Sequence, residues 1–344
     1  MVLPKIVPID PLNPDPAIIE QAAKIIRAGG LVVFPTETVY GLGGNALNTA
    51  AVESIFRCKG RPSSNPLIVH IEDRSQVGLV ARRWSLLAEK LASIFWPGPL
   101  TLILPRTARV PTLVTGGGDT VAVRCPIHPV AQALLKASGV PIAAPSANSS
   151  TELSPTTAAH VMRSLKEGFD LLLDGGPTPG GLESTVLDIN CDPPRLLRPG
   201  LISPTEISDH IGPIERMDIL QNRVAEAVYR SPGMMQRHYA PRTPLLLVAH
   251  NTEAMNLIDE WRAQGRRIGW LSWGEAQDHE SASVLTVRMP TEVSAYSIRL
   301  YAELHDLDAS GVEVIVVTVP PDQEPWLAVR DRLHRAATPA EPLD

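Results

Sequence analysis

The stretch LVVFPTETVYGLGGNA, residues 31–46, decides the fold. Leu31 to Phe34 form an apolar run that reads as a buried strand, entered from a helix that Gly29-Gly30 stops. Gly41 to Ala46 then satisfy the G-x-G-x-x-G/A pattern of a dinucleotide turn, and Glu72-Asp73 follow the next strand. An NAD-type oxidoreductase is therefore a competing reading. Its weakness is spacing: six residues separate Phe34 from Gly41, whereas the fingerprint needs its glycines in the tight turn that leaves the strand. The bland alternative for Gly41–Ala46 is a turn-rich loop without a ligand.

Outward from this stretch the rhythm is α/β. Residues 17–28, 49–58, 86–95, 129–138 and 157–165 carry helical periodicity. Residues 66–71, 100–104, 120–124, 140–144, 170–174, 184–189 and 195–198 read as strands. A weaker region at 211–244 contains one helix (218–229) and the segment SPGMMQRHYAP (231–241). From 245 to 344 strands at 245–249, 267–272, 283–288 and 312–319 alternate with helices at 252–263, 293–307 and 325–337. That alternation predicts a small, mainly parallel, Rossmann-like sheet. The expected organisation is a first domain at 1–210, an ordered linker at 211–244 and a second domain at 245–344.

Composition narrows the function classes. Among 344 residues there are 33 prolines, yet 44% are hydrophobic, so the chain has material for packed cores and is not generally disordered. A net charge of −6 excludes a globally basic, nucleic-acid-coating protein. Cys58, Cys125 and Cys191 are far apart and form no CxxC pair, which argues against a disulfide framework or a zinc knuckle and fits a reducing cytoplasm. No metal-ligating set is read. No apolar run approaches the length of a membrane span and no signal peptide opens the chain, so a soluble, cytoplasmic protein is expected.

Four clusters could carry chemistry, each in a stretch that reads as irregular. The first is PTETVYGLGGNA itself. In KGRPSSNPLIVH (59–70), Lys59 and Arg61 put a point charge and a planar fork within three residues, a combination suited to polyphosphate. Pro62 and Pro66 restrict that loop, Asn65 adds an amide, and His70 ends the strand. A solvated surface loop is the commoner fate of such a tripeptide. APSANSSTELSPT (144–156) supplies hydroxyls and an amide beside a helix start, where backbone N–H groups bind anions but also where simple N-capping occurs. The last set is GLESTV (181–186), LLRPG (196–200) and SPGMMQRHYAP, with Thr120 and Arg124 on an earlier strand. Arginines at strand ends beside Ser and Thr suit an anionic ligand. Neither G-x-S-x-G nor a P-loop is present, so a serine hydrolase and P-loop nucleotide binding are set aside.

Taken in order, PTETVYGLGGNA, KGRPSSNPLIVHI, FWPGPLTLIL, TVAVRCPIHPVA, PIAAPSANSS with SPT, DGGPTPGGLESTV and LLRPG resemble the YrdC-like domain over about residues 14–205. With SPGMMQRHYAP and a second α/β domain, the chain resembles the long, two-domain branch of the threonylcarbamoyl-AMP synthase family. The resemblance implies a YrdC-like twisted mixed sheet with helices, plus a smaller Rossmann-like α/β domain. It implies a nucleotidyltransferase using ATP with Mg²⁺, L-threonine and bicarbonate. The product would be threonylcarbamoyl-AMP, for tRNA threonylcarbamoyladenosine modification by a downstream threonylcarbamoyl transferase complex, with at most transient tRNA contact.

Carried over by residue, the resemblance sets threonine against Thr38, His70, Arg124, Ala144 and Ser184. It sets ATP against Arg61, Asn65, Thr120, Ser146, Ser154, Arg198 and His238. Lys59 and Arg61 would serve the triphosphate, with Tyr40, Asn148 and Tyr239 as further pocket members. The linker that carries His238 would fold over the nucleotide as a lid. Departures from the family pattern are Thr151, in place of a usual glycine, and Met235 and Gln236, in place of a lysine and an aromatic residue. An RNA-binding YrdC-like module without synthase activity is the alternative reading.

Overall fold

In the computed structural model, which describes residues 4–216, 238–274 and 282–338, the glycine-rich segment is a strand rather than a loop. Gly41–Asn45 pairs antiparallel with Val32–Phe34, with Gly41 opposite Phe34 and Gly43 opposite Val32, and continues antiparallel onto Ile142–Ala143. Its glycines answer a packing need. A Cβ on Gly43 would come within 2.6 Å of Phe34 Cε1, and one on Gly44 within 2.9 Å of Leu31 Cδ2. The segment is thus built for close approach of core side chains, and the turn of a dinucleotide site is absent from it.

In chain order the first unit contains β1 (Lys5–Pro8), α1 (Pro16–Arg27), β2 (Val32–Phe34), β3 (Gly41–Asn45), α2 (Thr49–Lys59), β4 (Ile68–His70), α3 (Val77–Val80), α4 (Leu86–Phe95) and β5 (Leu100–Pro105). It continues with β6 (Thr120–Arg124), α5 (Pro129–Ser138), β7 (Ile142–Ala143), α6 (Ala158–Ser164), β8 (Leu171–Asp174), β9 (Thr185–Asp188), β10 (Arg195–Arg198), α7 (Pro204–Ile211) and β11 (Glu215–Arg216). These strands form one mixed, twisted sheet in the order β1-β8-β2-β3-β7-β4-β6-β5-β9-β10-β11. By Cα proximity this unit comprises Met1–Ser150 and Pro155–Met234.

Strand alternation divides the core of this unit. Val33, Leu42, Val69, Val121, Val123, Leu102 and Leu187 point into the large apolar cluster shared with α2 and α4. Val32, Phe34, Leu171 and Leu173 point oppositely, into a cluster with α1 and α5. Further along the sheet a smaller cluster, Ile68, Ile103, Ala122, Val186 and Leu197, is drawn from strands alone. The alternation places His70 on the face of Ile68, Arg124 on that of Ala122, and Thr101 on that of Ile103.

The second unit comprises Thr151–Ser154 and Met235–Asp344. Its elements are β12 (Leu245–Val248), α8 (Asn251–Ala263), β13 (Ile268–Trp273), β14 (Val284–Met289), α9 (Val293–Ala309), β15 (Val314–Thr318) and α10 (Leu327–Ala336). The sheet order is β12-β15-β13-β14 with every pairing parallel, the Rossmann-like arrangement expected from alternating strands and helices. The helix expected at 218–229 and most of the ordered linker expected at 211–244, Met235, Gln236 and Arg237 included, lie outside the described residues. Among those described, no helix is long and apolar enough to cross a membrane.

Candidate active site

Arg124 ends β6 and lies 3% exposed, opposite Thr101 on β5 and beside His70 on β4. Three groups fix its guanidinium. Nε donates to Gly98 O at 3.3 Å, Nη1 donates to Thr38 Oγ1 at 3.0 Å, and Nη2 stands 2.5 Å from Glu37 Oε1. The proton direction beyond Thr38 follows from counting donors. Thr36 Oγ1 donates its one hydrogen to Val39 O at 2.7 Å, so in the 2.8 Å contact between the two hydroxyls Thr38 donates and Thr36 accepts. The PTET turn thereby becomes a relay that holds the arginine, and Glu37 within it is a member that the sequence motifs did not single out.

His70 is fully enclosed. Burial first, and the adjacent Arg124 cation second, push its pKa from 6.5 down to about 3. The ring is neutral at physiological pH, and its Nδ1 is buried without a hydrogen-bond partner. The sign of the linkage is definite. Below pH 6.5 the unfolded chain takes up a proton that the folded imidazole refuses until about pH 3. Stability therefore falls as pH drops through that window. His70→Gln should flatten the acid limb by up to about 1.4 kcal/mol per pH unit, read from urea midpoints at successive pH values. An unchanged limb would place the proton elsewhere.

On the far side of Thr101, Ser184 Oγ lies 2.7 Å from Thr101 Oγ1. Arg198, 3% exposed at the end of β10, reaches the same residue: Nε and Nη2 donate to Ser184 O at 3.1 and 2.9 Å, and Nη2 to Ser184 Oγ at 3.1 Å. Gly200 makes this approach possible, since a Cβ there would lie 2.3 Å from Thr185 N and 2.5 Å from Glu183 O. Thr38, His70, Arg124, Ser184 and Arg198 are thus gathered at one margin of the strand-only apolar floor. Thr120 begins β6, four residues before Arg124 on the same face, and is half-buried. Ala144 follows β7 and donates its N–H to Ile68 O at 3.0 Å.

The KGR and SAN loops are joined by Lys59. Its ammonium, on a residue 3% exposed at the end of α2, donates to Ser146 O at 2.6 Å and to Asn148 O. Ser150 N returns a bond to Lys59 O at 2.8 Å. Arg61 folds back on its own loop, Nε donating to Asn65 O at 3.0 Å and Nη2 to Asn65 Oδ1 at 2.6 Å and Pro66 O at 2.7 Å. Ser146 is bridged to Gly41, so the SAN loop extends the pairing of β3. The clusters that read as irregular are in fact organised by a strand and by buried cations. Tyr40 stands apart: it is fully buried, and its hydroxyl donates to Gly176 O at 2.6 Å and accepts from Gly175 N, with burial raising its pKa.

Ser154, His238 and Tyr239 belong to the second unit. Ser154 O lies 3.2 Å from His305 Nε2 on α9, and Ala240 N donates to Thr151 O at 2.9 Å. His238 N donates to Arg335 O at 3.1 Å, and its ring meets Tyr239 edge-on at 4.0 Å. The fully buried Arg332 places its guanidinium carbon 4.9 Å from the centre of the Tyr239 ring, while Asp331 pairs with Arg332 and with Arg335. Thr151 adopts φ 72°, the left-handed conformation that a glycine takes without strain. Thr151 therefore holds backbone strain that a glycine would not. Thr151→Gly should stabilise this unit by about 1 kcal/mol, raising its thermal midpoint by roughly 4 °C. A lowered midpoint would contradict the strain.

Among the described residues, no group of three or more His, Cys, Asp or Glu gathers to hold a metal ion. Beside the floor stand the guanidinium groups of Arg124 and Arg198, the hydroxyls of Thr38, Thr101 and Ser184, neutral His70 and the Glu37 carboxylate, a set suited to a small charged ligand.

Two family models match consecutive parts of the chain. One, described as telomere recombination, covers residues 24–200, and the C-terminal domain of threonylcarbamoyl-AMP synthase covers 202–338. The threonylcarbamoyl-AMP synthase of Bacillus subtilis is 44% identical over 331 residues, spanning 95% of each chain. That of Pyrococcus abyssi is 41% identical over 321 residues, covering 92% of this chain and 93% of its own. The structure of P. abyssi Sua5 complexed with L-threonine superimposes with a TM-score of 0.90 at 40% identity, over 96% of this chain and 97% of that one. Two models in sequence, full-length relatives and a shared architecture lead to one statement: this chain belongs to the threonylcarbamoyl-AMP synthase family.

Proposed function

We propose that the protein condenses L-threonine, bicarbonate and ATP into threonylcarbamoyl-AMP, releasing pyrophosphate and water, as the first step of tRNA threonylcarbamoyladenosine modification. The observation that carries this reading is Arg124, a buried guanidinium oriented by Thr38 and Gly98 at the margin of an apolar floor. Such a site suits the carboxylate of a small amino acid whose hydrocarbon part meets carbon. P. abyssi Sua5 binds L-threonine, and we carry that ligand over to Thr38, His70, Arg124, Ala144 and Ser184. Neutral His70 then offers a hydrogen bond without a competing charge.

ATP is assigned to Arg61, Asn65, Thr120, Ser146, Ser154, Arg198 and His238, with Lys59 beside the triphosphate and Asn148 and Tyr239 as further pocket members. Once the threonine amine has become a carbamate, its oxygen attacks the α-phosphorus and pyrophosphate leaves. This adenylylation needs alignment and positive charge more than covalent help. Mg²⁺ bound with ATP would supply charge neutralisation on the phosphates. The chain's part is to hold Lys59 and Arg61, with Arg198, already oriented, so that little reorganisation accompanies the charge shift.

We assign residues 1–210 to catalysis, 211–244 to a linker acting as a lid that shields the labile anhydride from water, and 245–344 to the domain that anchors it. The product is passed to a threonylcarbamoyl transferase complex in the cytoplasm. Mass detection of threonylcarbamoyl-AMP from purified protein, with each substrate omitted in turn, tests the reaction. Product that persists without threonine or bicarbonate would sink it.

A further inference from the structure

Glu37 has no assigned task, yet its surroundings are specific. It is 8% exposed, and its Oε1 stands 2.5 Å from Arg124 Nη2. The approach is too oblique for a hydrogen bond: neither Glu37 oxygen accepts one, and Nη2 donates none. Elsewhere the same guanidinium is aligned with Gly98 O and Thr38 Oγ1. One buried anion and one buried cation therefore stand side by side with directional capacity remaining on both. A buried pair of this kind is a poor source of stability, because desolvation offsets most of its attraction. It is complementary, however, to a ligand carrying an anion and a cation two bonds apart, which is the description of an α-amino acid zwitterion.

We propose that Glu37 receives the ammonium group of the amino-acid substrate while Arg124 receives its carboxylate, and that Glu37 then takes the proton released when the amine becomes a carbamate. This assignment rests on the synthase reading given above. The ammonium gives one proton to the Glu37 carboxylate, freeing the nitrogen lone pair. That pair forms the N–C bond to bicarbonate while the C–OH bond breaks, and the departing hydroxide leaves as water with a second amine proton. One hydrogen stays on nitrogen, and the products are a carbamate anion, a neutral Glu37 and water. Three titratable neighbours, Cys125, His128 and His70, are shifted away from the range pH 7 to 9. Cys125 is pushed up to about 11 by burial, while His128 and His70 are held below the ordinary histidine value, also chiefly by burial.

The test is a binding cycle on the full chain. Calorimetry measures L-threonine and 2,3-dihydroxybutanoate, in which a hydroxyl replaces the ammonium, against the wild type and Glu37→Gln. Replacing the ammonium should weaken binding to the wild type at least ten-fold more than binding to Glu37→Gln. A coupling under three-fold overturns the assignment. For proton transfer, pyrophosphate release by Glu37→Gln should rise about ten-fold per pH unit below the amine's pKa while the wild type stays flatter, with the KM for ATP unchanged. Parallel profiles overturn that role. Should Glu37→Gln not fold, Glu37→Asp, which keeps the charge but withdraws it by one methylene, carries the same cycle. Because the cycle reads binding alone, its failure is distinct from failure of the synthase reading, which would show as wild-type protein forming no adenylate.

Discussion

Replacing Lys59 with methionine is expected to cut threonine- and bicarbonate-dependent pyrophosphate release by about 10²–10³-fold, the usual cost of losing one preorganised electrostatic group. The side chain is nearly isosteric along its stem, so packing at the end of α2 is kept and only the ammonium is lost. Two carbonyls, Ser146 O and Asn148 O, then lose their donor. Leaving such groups unsatisfied costs about 1–3 kcal/mol. The first unit should remain folded, with a modestly lowered denaturant midpoint, while activity collapses. Unchanged turnover would remove Lys59 from the machinery. A loss of activity that merely tracks the unfolded fraction would make it a structural clamp.

The second large effect concerns Arg124. Arg124→Leu should destabilise the first unit by about 3–5 kcal/mol, because Glu37 would be left as a buried anion without its cation. That corresponds to a thermal midpoint lowered by roughly 10 °C for a unit of this size. Threonine binding should vanish at the same time, while ATP binding, assigned to other residues, should persist. Pairing the change with Glu37→Gln should recover most of the stability, since no unpaired charge remains, but none of the threonine affinity. Equal stability of the single and double variants would show that the pair is not coupled.

Much of this architecture could be read from periodicity. The amphipathic face of α1 and the apolar run of the parallel strands are local features, and the N-cap of α6 by Thr157, donated to by His160 N, is equally local. Helix α7 carried a readable signal that periodicity alone missed: Ser203 caps it by accepting from Glu206 N, with Pro204 at the first position. The strand β3 gave no such signal. Four of its five residues are Gly, Leu, Gly and Gly, which have no β preference of their own, and only pairing with β2 and β7 makes them a strand. The site divides in the same way. Arg124, His70 and Arg198 stand at strand ends, where a ligand-binding residue is expected, and the motifs pointed to them. Glu37 sits between two threonines in a motif that says nothing about which distant cation it meets.

The sequence by itself determined the α/β class, the parallel second sheet and the identity of the strand-end cations, because each depends on residues close in the chain. Tertiary structure alone decided that a glycine run is a core strand, that Lys59 fastens two loops 87 residues apart through backbone carbonyls, and that Glu37 confronts Arg124. These are contacts between groups that chain order does not bring together. Their energies arise from burial and from the proton each donor has left to give, and both quantities exist only after the sheet has closed around them.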